Sequence, residues 1–303
     1  MKHVFVALVL VTQVALAQTG ASLDGVVAAN FPGDLHDYCA TNHVAENREQ
    51  SYVQTTQGGI NYVVAAYSDG EIGAVTLLEQ TSSGYVVVQE VSKAITGTAP
   101  EVRLRDVDAD GSPEAFVVFD TGKGGSDTWI YRIEDHHLRL ISPTNKLGGS
   151  LVAFPHDVDF DGRGVIDLIE DEVTGTREQA TTVHTHYVLK DGVYVAVEPL
   201  DFFDVFYREK GEPKTVTKTF AIPATAVQRS YKLAVLNGDA SGASFRVASG
   251  SITLNGVVIS PSSDFSESRA AWTIPVTLQE QNTIKVKLAG KPGGRIGIAI
   301  RHE

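Results

Sequence analysis

The chain has 303 residues, 43% of them hydrophobic, which suffices for about two domains of ordinary size. The formal net charge is −12, yet residues 1–213 carry 14 Lys+Arg against 32 Asp+Glu while residues 214–303 carry 11 against 5. The acidic majority argues against nucleic acid and for cations, and the change of sign marks two parts with different partners.

Lys2 and His3 precede an apolar run from Val4 to Val11, and Ala15-Leu-Ala17 follows. A short basic start, an apolar stretch and an A-x-A ending describe a secretory signal peptide, residues 1–17, with a mature chain from Gln18. Thr12 and Gln13 interrupt the run, which is too short for the ~20 residues of a membrane span. No transmembrane segment is therefore expected, and the location expected is secreted or periplasmic. Cys39 is the single cysteine, so no internal disulfide forms and it reads as a small buried hydrophobe. Within the N-terminal segment 18–50, Ser22 is placed to cap a short helix running to Asn30. Phe31-Pro-Gly33 then breaks it.

From residue 51 the pattern is β: short runs of Val, Ile, Tyr and Thr between Gly, Asp and Ser. Three units align. The first has Asn61–Tyr67, a Ser68-Asp-Gly70 turn, Ala74–Leu78 and Tyr85–Val91. The second has Glu101–Asp106, an acidic loop, Ala115–Phe119, Thr128–Ile133 and Leu138–Ile141. The third has Leu151–Phe154, a second acidic loop, Val165–Ile169, Val183–Leu189 and Tyr194–Val197.

The acidic loops carry the chemistry. In Asp106-Val-Asp-Ala-Asp-Gly-Ser-Pro-Glu114, carboxylates fall at positions one, three and five, before a glycine that allows a sharp turn. Wrapped around one centre, Asp106, Asp108 and Asp110, the carbonyl of Ser112 and the closing carboxylate of Glu114 supply the hard oxygens that Ca²⁺ requires. Without a cation such carboxylates repel one another. The second loop repeats the ladder as Asp157, Asp159 and Asp161, with Asp167 as its fourth side chain. Unit one has only Asp69 at this place and is expected to bind no metal.

These repeats resemble the FG-GAP/VCBS-type repeats of integrin-like propellers, whose loops read D-x-D-x-D-G-x-x-D. Asp106, Asp108, Asp110, Gly111 and Glu114 match, with Glu for the final Asp; the second loop has Val165 at that position, and the FG and GAP signatures are absent. The resemblance implies calcium loops and a propeller-like β domain over residues 51–208. Three units fall short of the four or so blades that close a ring, so an incomplete or open arrangement is expected.

Glu209-Lys-Gly-Glu-Pro213 reads as a linker. Beyond it, residues 214–303 hold strands expected at Val216–Ile222, Tyr231–Leu236, Ser244–Ala248, Ser251–Leu254, Val257–Ile259, Ala271–Leu278, Thr283–Leu288 and Arg295–Ile300. Asn255-Gly256 marks a type I′ hairpin, and the whole reads as a β-sandwich or jelly roll. Asn237-Gly-Asp239, Leu254-Asn-Gly256, Asp264-Phe265, Asn282-Thr283 and Leu288-Ala-Gly-Lys-Pro-Gly293 resemble a recurrent C-terminal sandwich of bacterial secreted and surface proteins. That resemblance implies a non-catalytic appended module.

No G-x-S-x-G, P-loop or H-E-x-x-H motif occurs. His184 and His186 share a strand face, a spacing that suits Zn²⁺, but lack a third ligand and read as surface or edge histidines. His136-His137 reads as a hairpin turn, and Glu170-Asp-Glu172 as a solvated turn rather than a glycosidase carboxylate pair. Trp129 with Tyr131, and Phe203 with Val205, read as core pairs rather than sugar platforms. The function expected is an exported, non-enzymatic, calcium-stabilised binding or adhesion-type protein of the bacterial envelope or extracellular space, with a protein or glycan partner. The alternatives are a secreted hydrolase or carbohydrate-active accessory protein, and a structural surface component.

Overall fold

The computed structural model describes residues 22–42, 47–122, 125–143, 151, 156–159, 164–174, 181–197, 200–238 and 245–302, so the proposed signal peptide lies outside the described residues. These residues form two α-helices, two short 3-10 turns and twenty strands, an all-β architecture of five four-stranded antiparallel sheets. None of the described helices is long and apolar enough to cross a membrane.

Helix α1 (Leu23–Ala29) begins as expected: the Ser22 hydroxyl accepts from the Gly25 amide at 3.3 Å. Helix α2 (Gly33–Asn42) is not evident in the sequence, because the Pro-Gly breaker hides its start. It buries Leu35 and Cys39, and Cys39 forms no disulfide. The first sheet runs β1 (Glu49–Gln57), β2 (Ile60–Ser68), β3 (Ile72–Thr81) and β4 (Gly84–Thr96) in chain order. β1 is polar and half-exposed, which is why the sequence conceals it. Gly58-Gly59, at φ +57° and +81°, supplies the tight turn into β2. Val63, Ala65, Tyr67, Ala74 and Leu78 of this sheet pack with Val26, Val27 and Leu35 of the helices.

The second sheet runs β5 (Thr98–Arg105), β6 (Glu114–Gly122), β7 (Gly125–Glu134) and β8 (His137–Leu140); the hairpin turn expected at His136-His137 falls one residue earlier, at Asp135-His136, both at positive φ. The third runs β9 (His156–Val158), β10 (Asp167–Thr174), β11 (Thr181–Lys190) and β12 (Val193–Ala196), again in chain order. The strand expected at Leu151–Phe154 is displaced to β9. Leu151 makes only an isolated bridge to Thr128, and residues 152–155 lie outside the described residues. The segment expected as a solvated turn, Glu170-Asp-Glu172, continues β10 instead. Its partners on β11 make this possible, since Tyr187 donates to the buried Glu170 carboxylate at 2.8 Å.

The C-terminal strands are β13 (Phe202–Tyr207), β14 (Thr215–Ala221), β15 (Tyr231–Asn237), β16 (Ser249–Leu254), β17 (Val257–Ser260), β18 (Ala271–Val276), β19 (Gln281–Ala289) and β20 (Arg295–His302). They form sheets β13-β20-β15-β18 and β14-β19-β16-β17. Both turn alternate residues, such as Leu233, Val235, Ile284, Val286, Ile296 and Ile298, into one core. Asn255-Gly256 makes the expected turn at φ +50° and +86°. The strand expected at Ser244–Ala248 is absent over its described part, 245–248, where Phe245 has φ +62°. That region is instead tied down by Asn237, whose amide donates to Val247 and Ser266 carbonyls while its oxygen accepts from the Val247 amide. β13 lies upstream of residues 209–213, yet it pairs with β20 along its whole length.

By contacts the chain divides into two compact units. One comprises residues 1–103, 117–124 and 133–139; the other comprises 104–116, 125–132 and 140–303. Both acidic loops, the third sheet and the C-terminal sheets belong to the second unit.

Candidate metal centre

The first acidic loop leaves β5 at Asp106 and enters β6 at Glu114, and each of its three aspartates accepts from a later amide. Asp106 Oδ2 accepts from Gly111 at 3.0 Å, Asp108 Oδ1 from Asp110 at 3.3 Å, and Asp110 Oδ1 from Ser112 at 2.7 Å. Gly111 takes φ +86°, a conformation that costs a residue with a Cβ far more than glycine. Asp106, Asp108 and Glu114 each bring a carboxylate oxygen within 4.8 Å of the others, the one such group among the described residues. The donor set is all oxygen and can hold a metal ion. Asp110 is exposed and stands outside this group of carboxylates.

Sequence reasoning did not find Arg132, on β7. Its guanidinium meets Glu114 Oε1 at 2.8 Å and Asp108 Oδ2 at 2.5 Å. Glu114 Oε2 accepts from the Val107 amide. Burial raises the Glu114 pKa above the ordinary carboxylate value, although that amide and Arg132 oppose the shift. The only signal available was β6–β7 adjacency, which brings residues eighteen apart together.

The second loop has a different register from the one its sequence suggests. Asp157 sits on β9, opposite Leu168, and its carboxylate accepts from Arg105 at 3.2 Å. Asp159 Oδ2 instead accepts from the amide of Gly164, five residues on, and Gly164 has φ +85°. This repeats the Asp106–Gly111 bond, so Asp159 holds the first position and Asp167 the ninth, matching Asp106 and Glu114. By sequence count Arg163 then falls where the first loop has Asp110 and Asp161 where it has Asp108, and both lie outside the described residues. The closing residue again meets a base on the next strand: His186 Nε2 lies 2.9 Å from Asp167 Oδ2. The loops adjoin, with the Ile166 amide donating to the Val107 carbonyl at 2.8 Å. Burial, then the charges of Asp157, Glu114, Asp167 and Asp108, push the Tyr194 phenol well above its usual value.

In unit one Asp69 is fully buried, and one of its oxygens accepts from the Glu71 and Ile72 amides at 2.8 Å. It shapes a turn.

The remaining candidates converge further along the third sheet. Asp171 accepts from His184 Nδ1 at 2.7 Å and His156 Nε2 at 3.1 Å, and both imidazoles pack on Phe203, at centroid distances of 5.7 and 5.0 Å. Burial raises the Asp171 pKa, but bonds from His156 and His184 outweigh it and hold the carboxyl well below its usual range. The sequence reading missed His156, and His186 is buried rather than at the surface. Trp129, Tyr131 and Phe203 are buried as expected.

No protein-family model matches the chain, and no curated protein matches it. Among solved structures it is similar to an exo-β-1,3-galactanase from Phanerochaete chrysosporium, at 11% identity over 84% of this chain and 82% of that one, with a TM-score of 0.23. It is also similar to a GH32 β-fructofuranosidase from Bombyx mori, at 12% identity over 83% of this chain and 65% of that one, with a TM-score of 0.25. Both likenesses are distant, and no activity follows from them.

Proposed function

We propose that the chain is an exported, non-enzymatic binding or adhesion-type protein whose first acidic loop is fixed by Ca²⁺. The observation behind this is the convergence of Asp106, Asp108 and Glu114 at a loop already ordered by its own carboxylate–amide bonds. The residues fit the ion. Asp106 Oδ1 is buried with no hydrogen-bond partner, and every donor is a hard oxygen, as Ca²⁺ prefers. Arg132 neutralises part of the cluster but does not bond Asp106. Asp106, Asp108 and Glu114 would hold the cation, with water completing its shell. Bound there, Ca²⁺ supplies fixed positive charge that locks two strand ends and performs no reaction step. The test is capture on glycan and protein arrays with Ca²⁺ and with chelator. Retention that depends on Ca²⁺, without turnover of the retained ligand, is the expected result; Ca²⁺-independent capture or none overturns the reading.

A second reading, a hydrolase, is favoured by one observation. Asp171 is flanked by two partly exposed imidazoles, a constellation able to move protons. Turnover of glycoside or ester substrates that His184→Ala abolishes, with melting unchanged, would establish it.

A further inference from the structure

We propose that β14 is a docking edge for a second copy of this chain. Two β14 strands pair antiparallel about a two-fold axis at Lys218, joining two four-stranded sheets into one of eight. β14 is an outer strand of the sheet β14-β19-β16-β17 and holds seven residues without a bulge. All of them except Phe220 are exposed. In an antiparallel ladder, alternate residues turn both backbone groups toward a given neighbour. The Ile222 amide donates to Glu280 and continues the ladder with β19, so the amides and carbonyls of Thr215, Thr217, Thr219 and Ala221 face the open side. Among the described residues, none of these groups has a hydrogen-bond partner there. The other three outer strands of the C-terminal sheets are each blocked. β17 has four residues and a register shift against β16. On β18 the Asn237–Ala270 bond sets the alternation, which turns Pro275, with no N–H to give, to the open side. On β13 the Arg208–Gly294 bond does the same and turns Val205 outward, where Asp204 Oδ1 already accepts from its amide at 2.8 Å. Of the four edges, β14 is the one left open to another strand.

The sequence of β14 says which strand fits. Centred on Lys218, the pairing sets Thr217 against the partner's Thr219 and Thr215 against the partner's Ala221, so every outward-facing residue meets another. Thr with Thr is a favourable cross-strand pair, and on the opposite face Val216, 38% exposed, meets the partner's Phe220. Lys218 falls opposite its own copy, and bare like charges there would destabilise the pair. Each ammonium, however, is held at 2.6 Å by Asp204 of its own chain. Pro213 and Pro223 stand five residues to either side of Lys218 and end the ladder symmetrically. Moving the axis by one residue either way sets one of them opposite Ala221 or Thr215, where the missing N–H breaks the ladder. The strand is therefore complementary to itself in one register, a property that a foreign partner would not require.

The experiment is sedimentation velocity of the full chain over roughly 10 µM to 1 mM, the affinity range of a small interface. The expected result is a reversible monomer–dimer equilibrium. Thr217→Pro removes an outward N–H that the monomer does not use, and it should abolish the dimer while dilute protein melts almost as before. Because proline can distort the strand itself, Thr217→Lys/Thr219→Lys serves as the second variant. It sets lysines opposite lysines and should weaken dimerisation by about tenfold or more. Thr217→Glu/Thr219→Lys sets opposite charges across the same register and should restore it. Oxidation of a Lys218→Cys variant reads the axis, since the Cα atoms of a non-hydrogen-bonded pair lie about 4.5 Å apart, within disulfide range. Crosslinked dimer is expected there and not for Lys285→Cys, an exposed position on β19. The proposal is overturned if the parent chain stays monomeric throughout, which leaves the edge to a strand of another protein. It is also overturned if the dimer survives both Thr217→Pro and Thr217→Lys/Thr219→Lys, or if Lys285→Cys crosslinks as readily as Lys218→Cys.

Discussion

At the scale of single residues, the same acidic side chain does different work according to what faces it. Asp108 and Asp69 occupy comparable turns, but Asp108 faces two other carboxylates whereas Asp69 serves backbone amides. Asp108→Ala should therefore abolish most of the Ca²⁺-induced rise in melting temperature. Asp69→Ala should cost about 1–3 kcal/mol with or without Ca²⁺, because it strands buried donors. Thermal melts of both variants with Ca²⁺ and with chelator separate the two roles. Asp171 gives a pH signature. Its pKa is held below the unfolded value of about 3.8 by His156 and His184, so its contribution is present above that pH and fades as pH falls below it. Denaturant titrations from pH 5 to pH 2 should show a shallower acid loss of stability for Asp171→Asn than for the parent chain.

At the scale of elements, the C-terminal sheets depend on a strand that the sequence separates from them. β13 reads as part of the acidic region because the Gly- and Pro-bearing stretch 209–213 follows it. In the structure, Phe202 and Phe206 enter the same core as Leu233, Ile284 and Ile298, and β13 covers the edge of β20. A fragment starting at residue 214 loses both rings and leaves β20 unpaired on that side. Deleting even one buried Phe side chain costs about 3–5 kcal/mol. A fragment of residues 200–303 should unfold cooperatively in calorimetry, and 214–303 should melt far lower or show no transition. What was legible here followed from local patterning. The Asn255-Gly256 turn, the Ser22 cap and the alternation of β19 are written in neighbouring residues. Arg132, His156 and the register of the second loop were not, because each depends on which strands lie side by side or on where one extra residue pair is absorbed. Asp157 looked like a loop's first position until its strand pairing placed it two residues early.

At the scale of the whole molecule, fold class was legible because turn residues recur throughout the chain and the first three sheets join strands that follow one another in sequence. Function was less so, because composition reports charge without saying which charges converge. That distinction bears on the net charge of −12, since any salt screens self-repulsion and stabilises an acidic protein somewhat. A specific ion acts differently. Binding to the folded state alone stabilises by about 1.4 kcal/mol at ten times Kd and about 2.7 kcal/mol at a hundred times Kd. Extracellular Ca²⁺ sites bind at ~10⁻⁴–10⁻³ M, so 10 mM Ca²⁺ spans this range. A shift of roughly 3–10 °C follows for a unit of this size. Sodium chloride at matched ionic strength, and Mg²⁺ at 10 mM, should give much smaller shifts, Mg²⁺ because it demands near-octahedral geometry and parts reluctantly with its water. Asp108→Ala should then respond to Ca²⁺ no more than to sodium chloride. If calorimetry shows that Ca²⁺, Mg²⁺ and ionic-strength-matched sodium chloride shift the parent chain equally, the acidic loops act only through bulk charge, and Arg132 is sufficient counter-cation for Asp108 and Glu114.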